Sequence, residues 1–170
     1  MPQNDPLDGA IFHGGANQQW RLERADSSTV WPTWKLINVT SATVVDLANG
    51  SANSGNPIIG QVNQANNKNQ LWYLISADPL GRVVKIQNIG TGTYVDLFDG
   101  NATNGAKITG NAGSVQDKNA HQLCFKIMTM VLENVHREDE KGFGRKMGLD
   151  GCYVLPNVCL SGNNVTRYDS

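Results

Sequence analysis

No apolar stretch of this chain approaches the roughly 18 to 20 residues needed to span a bilayer, so membrane insertion is not expected. An excess of charge is lacking too. The 14 Lys and Arg against 15 Asp and Glu leave a formal net charge of −1, which favours neither nucleic acid nor an anionic lipid surface as partner. Cysteine is scarce: Cys124, Cys152 and Cys159 are too few and too unevenly placed for a disulfide framework. Cys152 and Cys159 could pair, and a reduced pair is the expected state. The N-terminus, MPQNDPLDGA, lacks the basic and apolar regions of a signal peptide, so a cytosolic chain is expected. On that footing the Asn-x-Ser/Thr patterns at Asn38, Asn49, Asn101 and Asn164 read as Asn-rich turns rather than glycan acceptors. Metal-ligand spacings, a phosphate-cradling Gly loop, a GxSxG elbow and a His-Glu-x-x-His run are all missing. The expectation is a non-catalytic protein with no metal and no cofactor.

What the chain has is self-similarity. Offset by 50, NVTSATVVDLANGSANSGNPIIG (38–60) lies over NIGTGTYVDLFDGNATNGAKITG (88–110), with ten of 23 positions identical. A second mark recurs every 52 residues: Gln18-Gln19-Trp20, Gln70-Leu71-Trp72 and Gln122-Leu123-Cys124. A period near 50 means one supersecondary unit used several times, each unable to bury its apolar face alone. Three copies around an axis close a core and offer up to three equivalent pockets, the plan of a binding module.

Composition changes after Ile127. Residues 1–127 hold 24 Asn and Gln, all four Trp and 18 charged residues; residues 128–170 hold four Asn, no Gln, no Trp and 11 charged residues. The later segment carries no clear copy of the repeat, and its HREDEKGFGRKMG run reads as solvated or irregular. MTMVLENV (128–135) reads as either a short helix or a last strand. Within the repeats, Thr43-Val44-Val45-Asp46-Leu47, Tyr94-Val95-Asp96-Leu97 and Pro57-Ile58-Ile59 are strand signals between Gly, Asn, Asp and Ser clusters. Asn49-Gly50 and Asp99-Gly100 suit type I′ or bulged turns. No 11-residue window before 128 shows convincing 3.6-residue periodicity. The fold class is all-β, many short strands forming a closed barrel or a sandwich.

The Gln-x-Trp marks and paired Val-Asp-Leu strands resemble the ricin-B-type β-trefoil lectins, above all the small mushroom forms with a Phe-His-Gly-Gly-x-Asn-Gln-x-Trp run. Here that run is Phe12-His13-Gly14-Gly15-Ala16-Asn17-Gln18-Gln19-Trp20. The resemblance covers roughly residues 8–127. It implies a pseudo-threefold β-trefoil with a partial lobe one (1–35), lobe two (36–85) and lobe three (86–127), and an unmatched segment at 128–170. Lobe one is incomplete: Asp8 to Trp20 matches only the second half of a unit, Ser54 to Trp72 and Asn104 to Cys124, so about 20 residues with the first Val-Asp-Leu strand are missing upstream. Val158-Cys159-Leu160-Ser161-Gly162-Asn163 loosely echoes that strand, and filling of the gap by this segment is the alternative.

By the same resemblance, Trp20, Trp72, Gln18, Gln70 and Gln122 are structural, the rings filling the core and the amides bonding backbone within their lobes. Cys124 takes a core Trp position, which makes it a buried inert thiol despite His121 nearby. Trp31 and Trp34, between lobes one and two, read as packing residues. The implied function is carbohydrate binding in shallow pockets. A carboxylate accepts vicinal sugar hydroxyls through charge-assisted bonds, an amide donates and accepts beside it, and a platform residue meets the C–H face. Lobe two offers Asp46, Asn69 and, near the platform position, Gln61. Lobe three offers Asp96, His121 and Asn111. Lobe one keeps His13, Gly15 and Asn17 but lacks its Asp. Turn capping is the competing role for Asp46 and Asp96. The expected partners are glycans of galactose or N-acetylgalactosamine type, with a homodimer as a route to avidity. Two other readings stay open: a protease inhibitor acting through the Gln61–Lys68 loop, and a lectin-like product disabled by its missing half-lobe.

Overall fold

A computed structural model describes residues 4–11, 13–28, 30–77, 83–114, 116, 120–122 and 125–126. The expectations for Phe12, Cys124, Cys152, Cys159 and everything from 127 onward lie outside the described residues. Within them are eleven short strands and five single 3₁₀ turns; no described helix is long and apolar enough to cross a membrane.

The 50-residue period is visible as strand pairing. Lobe two supplies β4 (Trp34–Asn38), β5 (Val44–Leu47), β6 (Asn56–Gln61) and β7 (Trp72–Ser76). Lobe three repeats them as β8 (Val83–Asn88), β9 (Tyr94–Leu97), β10 (Ala106–Asn111) and β11 (Phe125–Lys126). Even the register carries over: Ile37 pairs with Val44 as Gln87 does with Tyr94, and Val45 with Gly60 as Val95 does with Gly110. Among the described residues, lobe one supplies β1 (Asp5–Pro6) with β2 (Asp8–Gly9), equivalent to one third strand, and β3 (Trp20–Arg24).

The third strands close a ring: β1 pairs β6, β6 pairs β10, and β10 pairs β2. The barrel beneath runs β3-β4-β7-β8-β11. Threefold repetition asks for a sixth stave between β11 and β3; among the described residues β3 pairs only β4 and β11 only β8. Among the described residues the trefoil therefore shows a closed ring and five barrel staves.

The core follows from the alternation of each strand. Trp20, Trp72, Leu22, Leu36, Ile86, Leu47, Leu97, Ile58 and Ile108 form one buried cluster, and the last six are three pairs of repeat-equivalent residues. Burial of aromatic and branched side chains on this scale is the main stabilising term. The lobes are tied by two asparagines at strand ends. Asn38 Oδ1 accepts from the N–H groups of Thr40 and Ser41, and Asn38 Nδ2 donates to Asn17 O of lobe one. Asn88 does the same with Gly90 and Thr91 on one side and the carbonyls of Lys68 and Asn69 on the other. Buried and fully engaged, Asn38 is no glycan acceptor.

Candidate functional site

The Gln-x-Trp motif builds the floor of each lobe in one way. Gln18, Gln70 and Gln122 sit in 3₁₀ turns, and their Nε2 groups donate to Ile11 O, Val62 O and Ala112 O at 2.8, 2.8 and 2.9 Å. In lobes one and two the Oε1 atom accepts a loop N–H, from His13 and Gln64, both at 2.9 Å. In lobe three Gln122 Oε1 is buried without a partner among the described residues. Trp72 is fully buried, its Nε1 donating to Val45 O at 3.1 Å.

Lobe two brings Asp46 against this floor. Asp46 lies inside β5, 4% exposed. Its Oδ2 accepts from Gln70 Nε2 at 3.0 Å and from Asn67 Nδ2 at 3.4 Å. Side-chain amides, not backbone N–H groups, hold the carboxylate, so turn capping does not describe it. Its Oδ1 takes no hydrogen bond from the described residues. Burial pushes the Asp46 carboxyl above its ordinary value, opposed by the Gln70 bond.

Asn69 is seated on the Asn49-Gly50 turn that follows β5. Both turn residues are left-handed, at φ 55 and 60, as the dipeptide predicts, though they sit within a longer β5–β6 connection rather than a two-residue hairpin. A Cβ on Gly50 would lie 2.5 Å from Asn69 Oδ1, so the amide rests directly on the glycine. Asn67, which sequence reasoning missed, caps the Asn69 turn by accepting from Asn69 N at 3.0 Å while reaching Asp46. Gln61 is not part of this cluster by any side-chain bond; its Nε2 donates to Asn4 Oδ1 of lobe one at 2.6 Å.

Lobe three repeats the plan with different groups. Asp96 is buried in β9 and bonded by the side chains of Asn111 and Gln122, with His121 and Asp99 close enough to act on its charge. Burial again raises its carboxyl, against both amides and His121. The Gly100 turn residue carries the His121 ring as Gly50 carries Asn69: a Cβ there would lie 2.3 Å from His121 Nε2. Asn111 also accepts from Gly55 N at 2.6 Å, linking lobes three and two.

Lobe one brings His13, Gly15 and Asn17 together without an acid. Gly15 N donates to His13 Nδ1 at 3.2 Å, and a Cβ on Gly15 would meet both His13 Cε1 and Asn17 Oδ1 within 2.7 Å. All three lie at or near the surface. Trp34 is buried, but Trp31 departs from the packing role expected of it. It is 64% exposed on a loop stitched by Asp26 to Ser28 and Thr33, its ring edge-on to Tyr73 at 6.3 Å. The Thr33 hydroxyl bond, the largest cause, holds the Asp26 carboxyl below its ordinary value.

The repeat geometry meets its match in the ricin-type β-trefoil lectin domain-like family, which aligns with residues 11–111. The chain belongs to that family. A designed threefold-symmetric protein, ThreeFoil, superposes on this lectin-like trefoil with a TM-score of 0.61 at 24% identity, over 71% of this chain and 79% of that one. The Polyporus squamosus lectin, bound to the human-type influenza-binding epitope Neu5Acα2-6Galβ1-4GlcNAc, matches at 21% identity and a TM-score of 0.43, over 72% of this chain. A PSL1a–E64 complex matches at 21% identity and a TM-score of 0.42, likewise over 72%. The trefoil spans about half the length of each of these last two, 48% and 47%. No curated protein matches it.

Proposed function

We propose that this lectin-like trefoil binds carbohydrate without catalysis, with lobe two as its principal site. The carrying observation is the Asp46 carboxylate: one oxygen is held by Gln70 and Asn67, and the other takes no hydrogen bond from the described residues. A carboxylate oxygen fixed in this way accepts sugar hydroxyls through charge-assisted bonds with no reorganisation at the moment of binding. Asn69 supplies the donor and acceptor amide. Membership of a lectin-like family supports the same reading. Lobe three, with Asp96, Asn111 and His121, is the second site. It is weaker because Gln122 Oε1 leaves its floor one hydrogen bond short. Lobe one, lacking a carboxylate beside His13, Gly15 and Asn17, contributes little alone.

The substrate class is a glycan ending in galactose or N-acetylgalactosamine. A single shallow pocket of this kind gives a dissociation constant near millimolar, about −4 kcal/mol, so useful avidity comes from two lobes acting together. A glycan array run with the parent, Asp46→Asn and Asp96→Asn tests the reading. Saturable binding that falls most in Asp46→Asn is expected. Silence from a monodisperse, cooperatively melting parent overturns the proposal and brings forward inhibition through the Gln61–Lys68 loop.

A further inference from the structure

We propose that Lys35 is a positioning residue for the Asp46 site, holding the loop that carries the donors of its carboxylate. The role in sugar binding rests on the reading above; the structural tether does not. Lys35 projects from the outer face of β4, its strand neighbours Trp34 and Leu36 facing the core, yet it is only 8% exposed. Its Nζ donates to Asn63 Oδ1 at 2.5 Å and to Gln64 O at 2.9 Å. Among the described residues no carboxylate pairs with it. Glu23, opposite on β3, is taken by Arg21 at 2.9 Å. Burying an ammonium against neutral acceptors alone is costly, so the site must gain something specific from it.

The repeat shows what that is. Lys85, the equivalent on β8, is 2% exposed and donates to Ser114 O at 2.8 Å. Gln64 and Ser114 are themselves repeat equivalents, 50 positions apart. Around them the two loops differ in sequence and in length, VNQANNKN in one and AGSVQDKNAH in the other. The bond from lysine ammonium to backbone carbonyl is nevertheless common to both, and a backbone acceptor is indifferent to the side chain it bears.

From Gln64 the order passes to the carboxylate in two bonds. Gln64 N donates to Gln70 Oε1 at 2.9 Å, which orients the amide that donates to Asp46. Gln64 Oε1 accepts from Asn67 Nδ2 at 2.8 Å, and the same Nδ2 reaches Asp46 Oδ2. Lys35 touches neither Asp46 nor Asn69. It fixes the residue that fixes both donors.

The test uses the full chain in an Asp96→Asn background, so that lobe two alone reports. Lys35→Met keeps the stem and deletes the donor. Asn63→Asp leaves the barrel face untouched and gives the ammonium a charged acceptor. Amide hydrogen exchange across 62–67 and titration with a lactose-bearing probe are measured for each. Lys35→Met should speed exchange at Gln64 by about tenfold or more and weaken the probe by a similar factor, with the 112–114 amides unchanged. Asn63→Asp should slow that exchange and tighten binding. Should Lys35→Met fail to fold, Asn63→Asp decides by itself, since a pure packing role predicts no change at Gln64. Unchanged exchange and affinity in both variants, while Asp46→Asn still abolishes binding, would overturn the proposal and leave the lectin reading intact. Faster exchange spread evenly over β4 and β7 would reduce Lys35 to packing. If the parent binds no probe, the lectin reading fails, and the exchange at Gln64 still says whether the tether exists.

Discussion

Two glycines of the same loop separate a site effect from a fold effect. Gly50 and Gly55 both have positive φ, 60 and 83. An alanine at either pays the left-handed penalty, roughly 1 to 2 kcal/mol. For a domain of this size that lowers Tm by about 3 to 6 °C. The surroundings then differ. A Cβ on Gly55 meets only Phe98 Cε2 at 3.7 Å, ordinary contact, whereas one on Gly50 would lie 2.5 Å from Asn69 Oδ1 and must push the amide off its seat. Gly50→Ala should therefore lose the Asn69 contact to sugar, up to about tenfold in affinity, while Gly55→Ala binds as the parent does. The assay is thermal melting and glycan titration in an Asp96→Asn background. Equal losses of affinity in the two variants would refute the assignment of Asn69. Lobe three offers an internal repeat of the experiment: Gly100 carries His121, and nothing lies within 4 Å of a Cβ on Gly105.

Two further outcomes follow from the backbone and from the buried acids. Ala42 adopts φ 57 on an exposed turn where the next unit has Gly92 at φ 76; Ala42→Gly should raise the denaturant midpoint, worth up to about 1 kcal/mol after the added chain entropy of glycine, and a lower midpoint would contradict the backbone argument. Burial raises the carboxyls of Asp46 and Asp96, so the folded state binds more protons than the unfolded state above about pH 4. Their contribution to stability is favourable below the unfolded pKa and is lost as pH rises through the raised folded values. Asp46→Asn should accordingly melt above the parent at pH 7 and level with it near pH 3, even as sugar binding disappears; a variant that melts lower at pH 7 would mean the Gln70 and Asn67 bonds outweigh desolvation.

How much of this was readable from the chain depended on whether a feature is local or repeated. The strands and the Asn49-Gly50 and Asp99-Gly100 turns are written in short runs that recur at a fixed offset. Asn67 was invisible because its reach to Asp46 exists only when the 62–67 loop folds back over β5. Lys35 reads as a surface charge until that same loop covers it. Its recurrence as Lys85 was the available signal, since a solvated lysine has no reason to persist where its neighbours diverge. Trp31 failed in the opposite direction: apolar composition suggested packing, but the Asp26-stitched loop holds it outward. The first-lobe residues His13, Gly15 and Asn17 do cluster, because two of them contact the third within five positions of chain.

The ring of third strands has a consequence for the order in which the molecule can assemble. Its N-terminal member, Asp5 to Gly9, pairs with Gly60 and Ile59 on one side and with Ala106 and Lys107 on the other. A chain emerging from the ribosome therefore makes its first strand long before either partner exists. Its first half waits about fifty residues of synthesis for Ile59 and Gly60 and its second half about a hundred for Ala106 and Lys107, and this last link joins segments nearly as far apart in sequence as the fold allows. High contact order of this kind makes closure slow. The earliest residues of the trefoil are thus among the last to find their place.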